Sequence, residues 1–418
     1  MKKNLICLLA VFVLVTIGGH AQDMVLKGGT VLTITGGLLS DGMVVIQNGK
    51  ITAVGRGIAL PGGIEVIDTT GRYVMPGIID SHSHIALEDV NESSDPVTPQ
   101  VWMKDAFDPD SDAILNTLAG GVTTIKAMHG SANVIGGVNV TLKLKYSTSV
   151  KEMVIPGARH QLKIALGENP KRSYGSRGRR PSTRMGIASI LKEEFTKARE
   201  YKERWDRYAA GIEAGKTNAV PPEEDLGLET LKMVLEKKLS VDCHAYRAEE
   251  IVWIIEFCKD RGIDLKQISH CVDGYKVADI MADAGISYGG WADWWGFKDE
   301  LYDACPYGIK IMFDAGTNVV LNSDNPDECR YLNLIAAKVL KYNDIAEDEV
   351  LKMITINPAR ALEIDDRVGS LEVGKDGDVA VFDKHPLDST SKCLKTIIEG
   401  VVYFDYDTHG SETKGGRR

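Results

Sequence analysis

Two histidines separated by one residue follow the apolar segment 73–79. They are His82 and His84, and they lie where a strand-like run gives way to a loop. Side chains at positions i and i+2 of a β-strand point to the same face, about 7 Å apart. Both imidazoles could therefore reach one metal ion at the end of a strand. An isolated pair of this kind also occurs by chance, so its meaning depends on the rest of the chain.

Three further apolar runs end in an imidazole or a carboxylate. These runs lead to His244, His270 and Asp324. The active-site residues of a (β/α)8 barrel collect at the carboxyl ends of its strands, which meet at one face. Imidazole and carboxylate groups are ligands that zinc and similar divalent ions take in proteins. The pattern predicts a metal site, because the alternative requires four separate strand ends to agree by chance.

The composition is that of an ordinary globular protein. The chain has 418 residues, of which 44% are hydrophobic and 26% charged, and its formal net charge is −10. This length is enough for one large core and a small second domain. A negative chain without a long basic run is a poor general binder of nucleic acid. We therefore predict no nucleic-acid partner.

The first 21 residues have the pattern of a secretory signal peptide. Lys2 and Lys3 precede a mainly apolar stretch at 5–17, and small residues follow it. That stretch is shorter than the roughly 20 residues that a membrane-spanning helix needs. We expect cleavage near Ala21-Gln22 and an exported protein, periplasmic or secreted, without a stable membrane anchor.

Six cysteines remain once Cys7 leaves with the signal peptide. Export permits disulfides, but a chain of this size does not need them. Cys243 and Cys271 are each one residue away from a predicted ligand, so they should face away from the site. We expect the six to be buried free thiols.

The pattern of apolar and polar residues divides the chain into a central region and two ends. Short alternating segments at both ends, with an Asn48-Gly49 hairpin turn, predict one small β-sandwich built from 22–75 and 363–406. Between them, strands and helices alternate over 76–362, which predicts an α/β fold, a parallel (β/α)8 TIM-type barrel. Its third strand is placed only within 138–155, and residues 407–418 are predicted to be disordered.

These features resemble the amidohydrolase superfamily. The matching pieces are the paired histidines after the first barrel strand, the single residues after strands 5, 6 and 8, and two flanking segments, 355–362 and 369–383. The nearest resemblance is to the branch that holds Xaa-Pro dipeptidase-like and imidazolonepropionase-like proteins. It implies a metal-dependent hydrolase with one or two divalent ions, zinc above all.

The resemblance also implies roles for two ligands. Asp324 would accept a proton from a metal-bound water and pass it to the leaving nitrogen. His270 would hold a second metal with His244, or would polarise the substrate carbonyl if one metal binds. The reaction implied is attack of metal-bound hydroxide on a carbonyl carbon. Asp324 and His270 are therefore the predicted catalytic residues.

Two metals would need a shared anionic ligand, and two residues after the fourth strand are candidates. Lys163 could serve as a carbamate formed with CO2, as in many members of the superfamily, while other members use a glutamate, which here would be Glu168. Alternation along the strand places Leu162 and Ile164 toward the helices and Lys163 toward the barrel axis. A lysine there is costly unless it is paired or modified. This favours Lys163 slightly and leaves both candidates open.

Candidate substrate contacts follow the second and fourth strands. Arginines bind carboxylates in bidentate geometry, so the basic loop 171–180, with Arg172 and Tyr174, could hold an anionic substrate or could be a solvated loop. His129 could also touch substrate. Trp291, Trp294 and Trp295 could line the pocket or pack against a neighbouring loop; these alternatives remain open.

The sequence therefore predicts an exported metal-dependent hydrolase of amide or peptide C–N bonds. A dipeptidase or a cyclic-amide hydrolase fits best. The alternatives are a deaminase of an amino-substituted ring and a metal-bearing binding protein without turnover. The expected partner is a small-molecule or dipeptide substrate, with an anionic one included, and a homo-oligomer is compatible with the sequence.

Overall fold

The structure is a computed structural model that describes residues 22–294 and 296–410. The predicted signal peptide lies outside the described residues, as do Trp295 and residues 411–418. Within the described part, Tyr406–His409 forms a short helix at the point where the sequence prediction began the disordered tail.

Strands from both ends and from the middle of the chain build two sheets. The strands are β1 (Met24–Leu32), β2 (Leu38–Gln47), β3 (Lys50–Gly55), β4 (Glu65–Asp68), β5 (Tyr73–Pro76), β6 (Ile78–Ser83), β7 (Val122–Ala127), β8 (Ile135–Lys143), β9 (Gln161–Ala165), β10 (Ser240–Ala245), β11 (Leu265–His270), β12 (Ser287–Gly290), β13 (Val319–Leu321), β14 (Val379–Phe382), β15 (Cys393–Ile398) and β16 (Val401–Asp405).

Helices lie mainly between the strands of the central region. They are α1 (Asp112–Leu118), α2 (Val150–Met153), α3 (Glu168–Gly175), α4 (Arg184–Glu213), α5 (Leu226–Leu235), α6 (Ala248–Arg261), α7 (Ala278–Asp283), α8 (Gly308–Asp314), α9 (Leu332–Tyr342), α10 (Glu347–Lys352), α11 (Ile356–Ala361) and α12 (Tyr406–His409). The longest, α4, has 30 residues. Within the described residues, no helix combines the length and the apolar character that a membrane crossing requires.

The small domain contains strands from both ends of the chain. Its sheet has the order β16-β15-β14-β5-β1-β2-β3, with β4 also paired to β1. Asn48 and Gly49 both have positive φ and form the tight turn predicted between β2 and β3. The strands hydrogen-bond into one continuous sheet, whereas the predicted sandwich would consist of two separate sheets. The difference arises because β5 joins β1 directly to the C-terminal strand β14.

The second sheet forms the barrel, in the order β6 to β13, and contacts between β6 and β13 close it. Most neighbouring strands are parallel, but β8 is antiparallel to both β7 and β9. The prediction of an all-parallel barrel is therefore wrong at the third strand. Only residues 128–134 separate β7 from β8, and a parallel crossover needs about a dozen residues or more. The chain consequently turns back as a hairpin.

Alternation along the barrel strands separates an apolar outer layer from a polar interior. On β9, Leu162 and Ile164 belong to the hydrophobic core under the helices, while Lys163 is a buried polar residue between them. This matches the strand parity expected from the sequence. The interior of the barrel can therefore hold polar and charged groups without disturbing the core.

The cysteines in the described part of the chain are all unpaired, as expected. Cys243 and Cys271 belong to the hydrophobic core, on the opposite side of their strands from the neighbouring histidines. Burial raises the pKa of both thiols. Most of the others are also buried, and Cys305 is partly exposed. Cys243 and Cys271 therefore pack in the core and face away from the histidines.

Candidate metal centre and active site

Three of the predicted ligands converge where the last barrel strand meets the first. His82 lies on β6, His84 directly after it, and Asp324 after β13. The Nε2 atoms of His82 and His84 lie 2.9 and 3.2 Å from Oδ1 of Asp324. One ligand atom from each residue fits within 4.8 Å of the other two. The structure thus brings these three side chains within the reach of one ion.

The other two histidines complete the group. His244 lies on β10 and His270 ends β11; their ring centres are 4.5 Å apart. The His270 ring is 4.9 Å from that of His82, and its Nδ1 atom is 3.6 Å from Oδ2 of Asp324. All five predicted nitrogen and oxygen ligands therefore lie together at one end of the barrel.

Burial sets the protonation of this group. It lowers the pKa of His82 to about 4 and holds the pKa of His244 and His270 well below the usual value. Burial alone would raise the pKa of Asp324, but His270 and His82 hold it well below its ordinary range. Near neutral pH the three buried imidazoles are neutral and the carboxyl is ionised, which are the forms that bind metal.

The hydrogen bonding of His84 indicates a cation at this point. Its Nδ1–H donates to the carbonyl oxygen of Met128 at 3.0 Å. In the neutral ring, Nε2 then carries a lone pair and faces Oδ1 of Asp324. Two acceptors that face each other repel, and a cation bound between them removes the repulsion.

Unpartnered nitrogens fit the same interpretation. Nδ1 of His82, both ring nitrogens of His244 and Nδ1 of His270 are buried without a hydrogen-bond partner in the described part of the chain. Buried polar atoms normally have a partner. A divalent ion would supply one, and imidazole nitrogens with a carboxylate suit zinc. The residues present therefore fit a metal centre.

Stacking fixes the orientation of His270. Its ring lies against Tyr246, with centres 5.2 Å apart, and against Trp291, 4.7 Å apart, both nearly parallel. Trp294 stacks in turn on Trp291 at 4.5 Å. His270 also has a φ of 76°, a conformation that costs energy for a non-glycine residue and is typical of functional sites. The sequence left open whether these tryptophans line the pocket or pack against a neighbouring loop. Trp291 packs directly on His270, a residue of the site.

Asp80 ties the two edges of the barrel together, and the sequence reasoning assigned it no role. Its carboxylate accepts the backbone N–H groups of His82 and Ser323, each at 3.2 Å, and the Ser323 hydroxyl at 2.5 Å. The backbone N–H of Asp324 donates to the carbonyl of His82 at 3.0 Å. Asp80 thereby sets the spacing of His82 and Asp324. The sequence could have indicated this residue, because Asp80, His82 and His84 occupy every second position and so share one face of an extended strand.

Replacing Asp80 with asparagine is expected to loosen the metal centre. The amide brings two N–H donors to a place where donors already converge, and an unsatisfied buried group costs about 1–3 kcal/mol. We expect a lower free energy of unfolding and faster metal loss, measured by denaturant titration and by metal content after dialysis. Asp41→Asn, at an exposed position of the small domain, is the control. If Asp80→Asn protein retained metal as well as the control, Asp80 would not be needed to hold the metal ligands in place.

The two candidate bridging residues lie in different surroundings. Lys163 is buried, and its Nζ has no hydrogen-bond partner among the described residues; Asp242 Oδ1 is 3.7 Å away. Its charge also reaches His82, His244 and His270, whose pKa values it lowers after burial and other charges. Glu168 instead begins α3, and its Oε1 lies 3.3 Å from Nζ of Lys298. The structure thus places Lys163, and not Glu168, among the histidines.

A second buried lysine explains why Lys163 remains without a close partner. Lys126 on β7 donates to Asp242 and to Gln161, both at 2.7 Å. Ser269 donates to the other oxygen of Asp242 at 2.8 Å. Burial would raise the pKa of Asp242, but Lys126 and Lys163 hold it well below its usual value. Both oxygens of Asp242 are therefore engaged, and the sequence reasoning did not identify Lys126 or Asp242.

Two predicted substrate contacts are structural instead. The hydroxyl of the buried Tyr174 donates to the carbonyl of Asp95 at 2.7 Å. The ring of His129 is also buried; Nδ1–H donates to the carbonyl of Gly130, and Nε2 accepts the N–H of Glu92 at 3.1 Å. Both predictions fail because the loop after β6 covers these side chains.

Most arginines of the predicted basic loop 171–180, and Arg184 shortly after it, are paired within the protein. Arg184 contacts Glu250 at 2.8 Å and also Glu300, and Arg180 contacts Glu193 at 2.7 Å. Arg172, in contrast, is exposed on α3 and has no ion-pair partner among the described residues. Of the predicted substrate-binding side chains, Arg172 alone keeps its charged group available.

Comparison with known proteins agrees with the fold. A model of the amidohydrolase family matches residues 307–406. The crystal structure of an amidohydrolase from Thermotoga maritima MSB8 is 36% identical, with a TM-score of 0.84, and the match covers 91% of this chain and 100% of that one. A prolidase complexed with N-methylphosphonate-L-proline, 18% identical over 92% of this chain and 100% of that one, has a TM-score of 0.59 and shares the fold.

Curated relatives extend over most of the chain. Amidohydrolase tasK of Hapsidospora irregularis is 29% identical over 396 residues, which are 87% of this chain and 40% of that protein; the chain spans less than half of its length. The imidazolonepropionase of Fusobacterium nucleatum subsp. nucleatum is 27% identical over 400 residues, 82% of this chain and 85% of the relative. These similarities confirm the predicted resemblance and the predicted class of enzyme. The chain belongs to the amidohydrolase family of hydrolases.

Proposed function

We propose that the chain is an exported, metal-dependent hydrolase of amide or peptide C–N bonds, with a dipeptide or a cyclic amide as its substrate. The convergence of His82, His84, His244, His270 and Asp324, with ring nitrogens that lack partners, carries the proposal. Export rests on the sequence of residues 1–21 alone. The relatives that bear the names imidazolonepropionase and prolidase support the choice of substrates.

The side chains of the site have separate roles in metal binding, proton transfer and positioning. His82, His84 and Asp324 would hold one ion, and His244 and His270 a second, with Lys163 as the candidate bridge. A divalent ion in this place polarises a carbonyl and makes water a better nucleophile near neutral pH. Asp324 accepts the proton of the attacking water and delivers it to the leaving nitrogen. Stacking between Tyr246 and Trp291 holds the His270 ring in one orientation while this happens.

Removal of the metal is expected to abolish activity reversibly. We expect elemental analysis to find one or two zinc-like ions per chain, and a chelator to remove both metal and turnover. Zinc added back should restore turnover, because the protein supplies the ligands and the ion supplies the electrophile. Metal-free protein with full activity would overturn the proposal.

A substrate panel tests the reaction class with the same preparations. Dipeptides, N-acyl amino acids and cyclic amides are offered beside aminated heterocycles, with Asp324→Asn protein as the control for contaminating hydrolases. Cleavage of amides without release of ring-derived ammonia supports the proposal. Ammonia from the heterocycles alone identifies a deaminase, and stoichiometric metal without any turnover identifies a binding protein.

A further inference from the structure

We propose that Lys298 binds a carboxylate that the substrate carries close to the bond that is cleaved. The proposal rests on the proposed function and narrows it to anionic amides and peptides. Lys298 follows β12 on the face where the strand ends hold the histidines. Its Nζ lies 4.0 Å from the centre of the Tyr246 ring, which stacks on His270. The ammonium group is thus one aromatic ring away from a predicted catalytic residue.

The contacts of Lys298 leave one donor unused. Its Nζ donates to Oδ1 of Asn169 at 3.2 Å and lies 3.3 Å from Oε1 of Glu168, both at the long end of the hydrogen-bond range. An ammonium group has three donors, and the described residues supply no third acceptor. About 16% of the side chain is exposed, so a ligand can reach it. A carboxylate can bind there while the contact with Glu168 remains.

Charge around Lys298 supports the same assignment. Arg172 lies close enough to lower the pKa of Lys298, after burial, which lowers it, and Glu168 and Glu300, which raise it. Lys298 therefore has a second cation, Arg172, in its electrostatic surroundings.

Arg184 and the carboxylates beside it are matched within the protein. Arg184 lies between Glu250 and Glu300, and burial raises the pKa of both carboxyl groups. Glu300 also accepts the backbone N–H of Glu168 at 2.8 Å, so the first turn of α3 already has an anionic partner. Arg184 is consequently engaged by internal carboxylates, whereas Lys298 keeps a donor for a ligand.

Matched substrate pairs test the proposal. Each dipeptide is offered with a free C-terminal carboxylate and as its carboxamide, and kcat and KM are measured for both. We expect the wild type to prefer the carboxylate by ~10- to 100-fold, the usual effect of a charge-assisted hydrogen bond in a partly buried site. Lys298→Met should lose this preference through a higher KM. Lys298→Arg should keep much of it, and Lys310→Met, which removes a partly exposed lysine on α8, should keep all of it.

A binding measurement separates this proposal from the proposed function. Calorimetry with N-acetyl-L-proline and N-acetyl-L-prolinamide compares protein that is wild type at residue 298 with Lys298→Met protein, both carrying Asp324→Asn so that turnover is suppressed. Tighter binding of the acid than of the amide, lost in Lys298→Met, supports the proposal even if no panel amide is cleaved. Equal binding of the two ligands by the wild type, or an acid preference that survives in Lys298→Met, overturns it, and hydrolysis of neutral amides would still support the hydrolase.

Discussion

The Asp324→Asn protein is expected to keep its fold and to lose turnover by a factor of ~10² to 10⁴, the usual contribution of a general acid/base. Asparagine has nearly the same shape, and its amide oxygen can still accept a hydrogen bond from His82. It cannot take up a proton from water near neutral pH. The loss should therefore appear in kcat, measured with metal-loaded protein at several pH values.

Two further measurements make the result specific. Metal content and the free energy of unfolding are determined for the same preparation, since a loss of metal alone would also lower kcat. Asp314→Asn, at an exposed position where the native carboxylate pairs with Lys310, is the matched control and should behave like the wild type. Turnover of Asp324→Asn within a few-fold of the control would show that the proton travels by another route.

Lys163→Ala is expected to lower the metal content from two ions toward one and nearly to abolish activity. The side chain is buried among the histidines, and its Nζ lacks a hydrogen-bond partner among the described residues. A lysine carbamate in that place would give the two ions a shared anionic ligand. Glu168→Gln should keep both ions and change mainly KM, because Glu168 faces Lys298. Elemental analysis and steady-state kinetics of the two variants provide the comparison.

Chemical rescue of the variants is a second test of whether Lys163 or Glu168 is the bridging ligand. Acetate or propionate with bicarbonate should partly restore Lys163→Ala protein, because a small carboxylate can occupy the space of the missing carbamate. The same additives should leave Glu168→Gln unchanged. The reverse pattern, in which Glu168→Gln loses an ion and Lys163→Ala keeps both, would make Glu168 the bridging ligand.

The ligands could be predicted because they follow a local rule. Each lies at the end of an apolar run, and alternation along a strand decides which side chains share a face. That rule identified His82, His84, His244 and Asp324 as neighbours and placed Lys163 inside the barrel. It needed no knowledge of how distant parts of the chain pack.

The residues that sequence reasoning misjudged depend on contacts between distant segments. Tyr174 and His129 follow barrel strands as expected, but the loop after β6 covers both and engages their polar atoms. Asp80 gains its role only where the first and last strands meet. Lys298 contacts Tyr246 only because the segment after β12 reaches the residue that directly follows β10. The spacing of residues along the chain does not reveal these contacts between distant segments.

The reversed strand β8 has a consequence for the order of folding. Strands β7, β8 and β9 pair as neighbours in sequence, and only residues 128–134 and 144–160 separate them. Strands β9 and β10, in contrast, pair only after the long segment with α3, α4 and α5 has been arranged between them. Chain entropy makes local pairs faster to form than distant ones. The antiparallel meander around Lys126 and Lys163 can therefore form early and serve as the template on which the parallel strands, and with them the histidines, assemble.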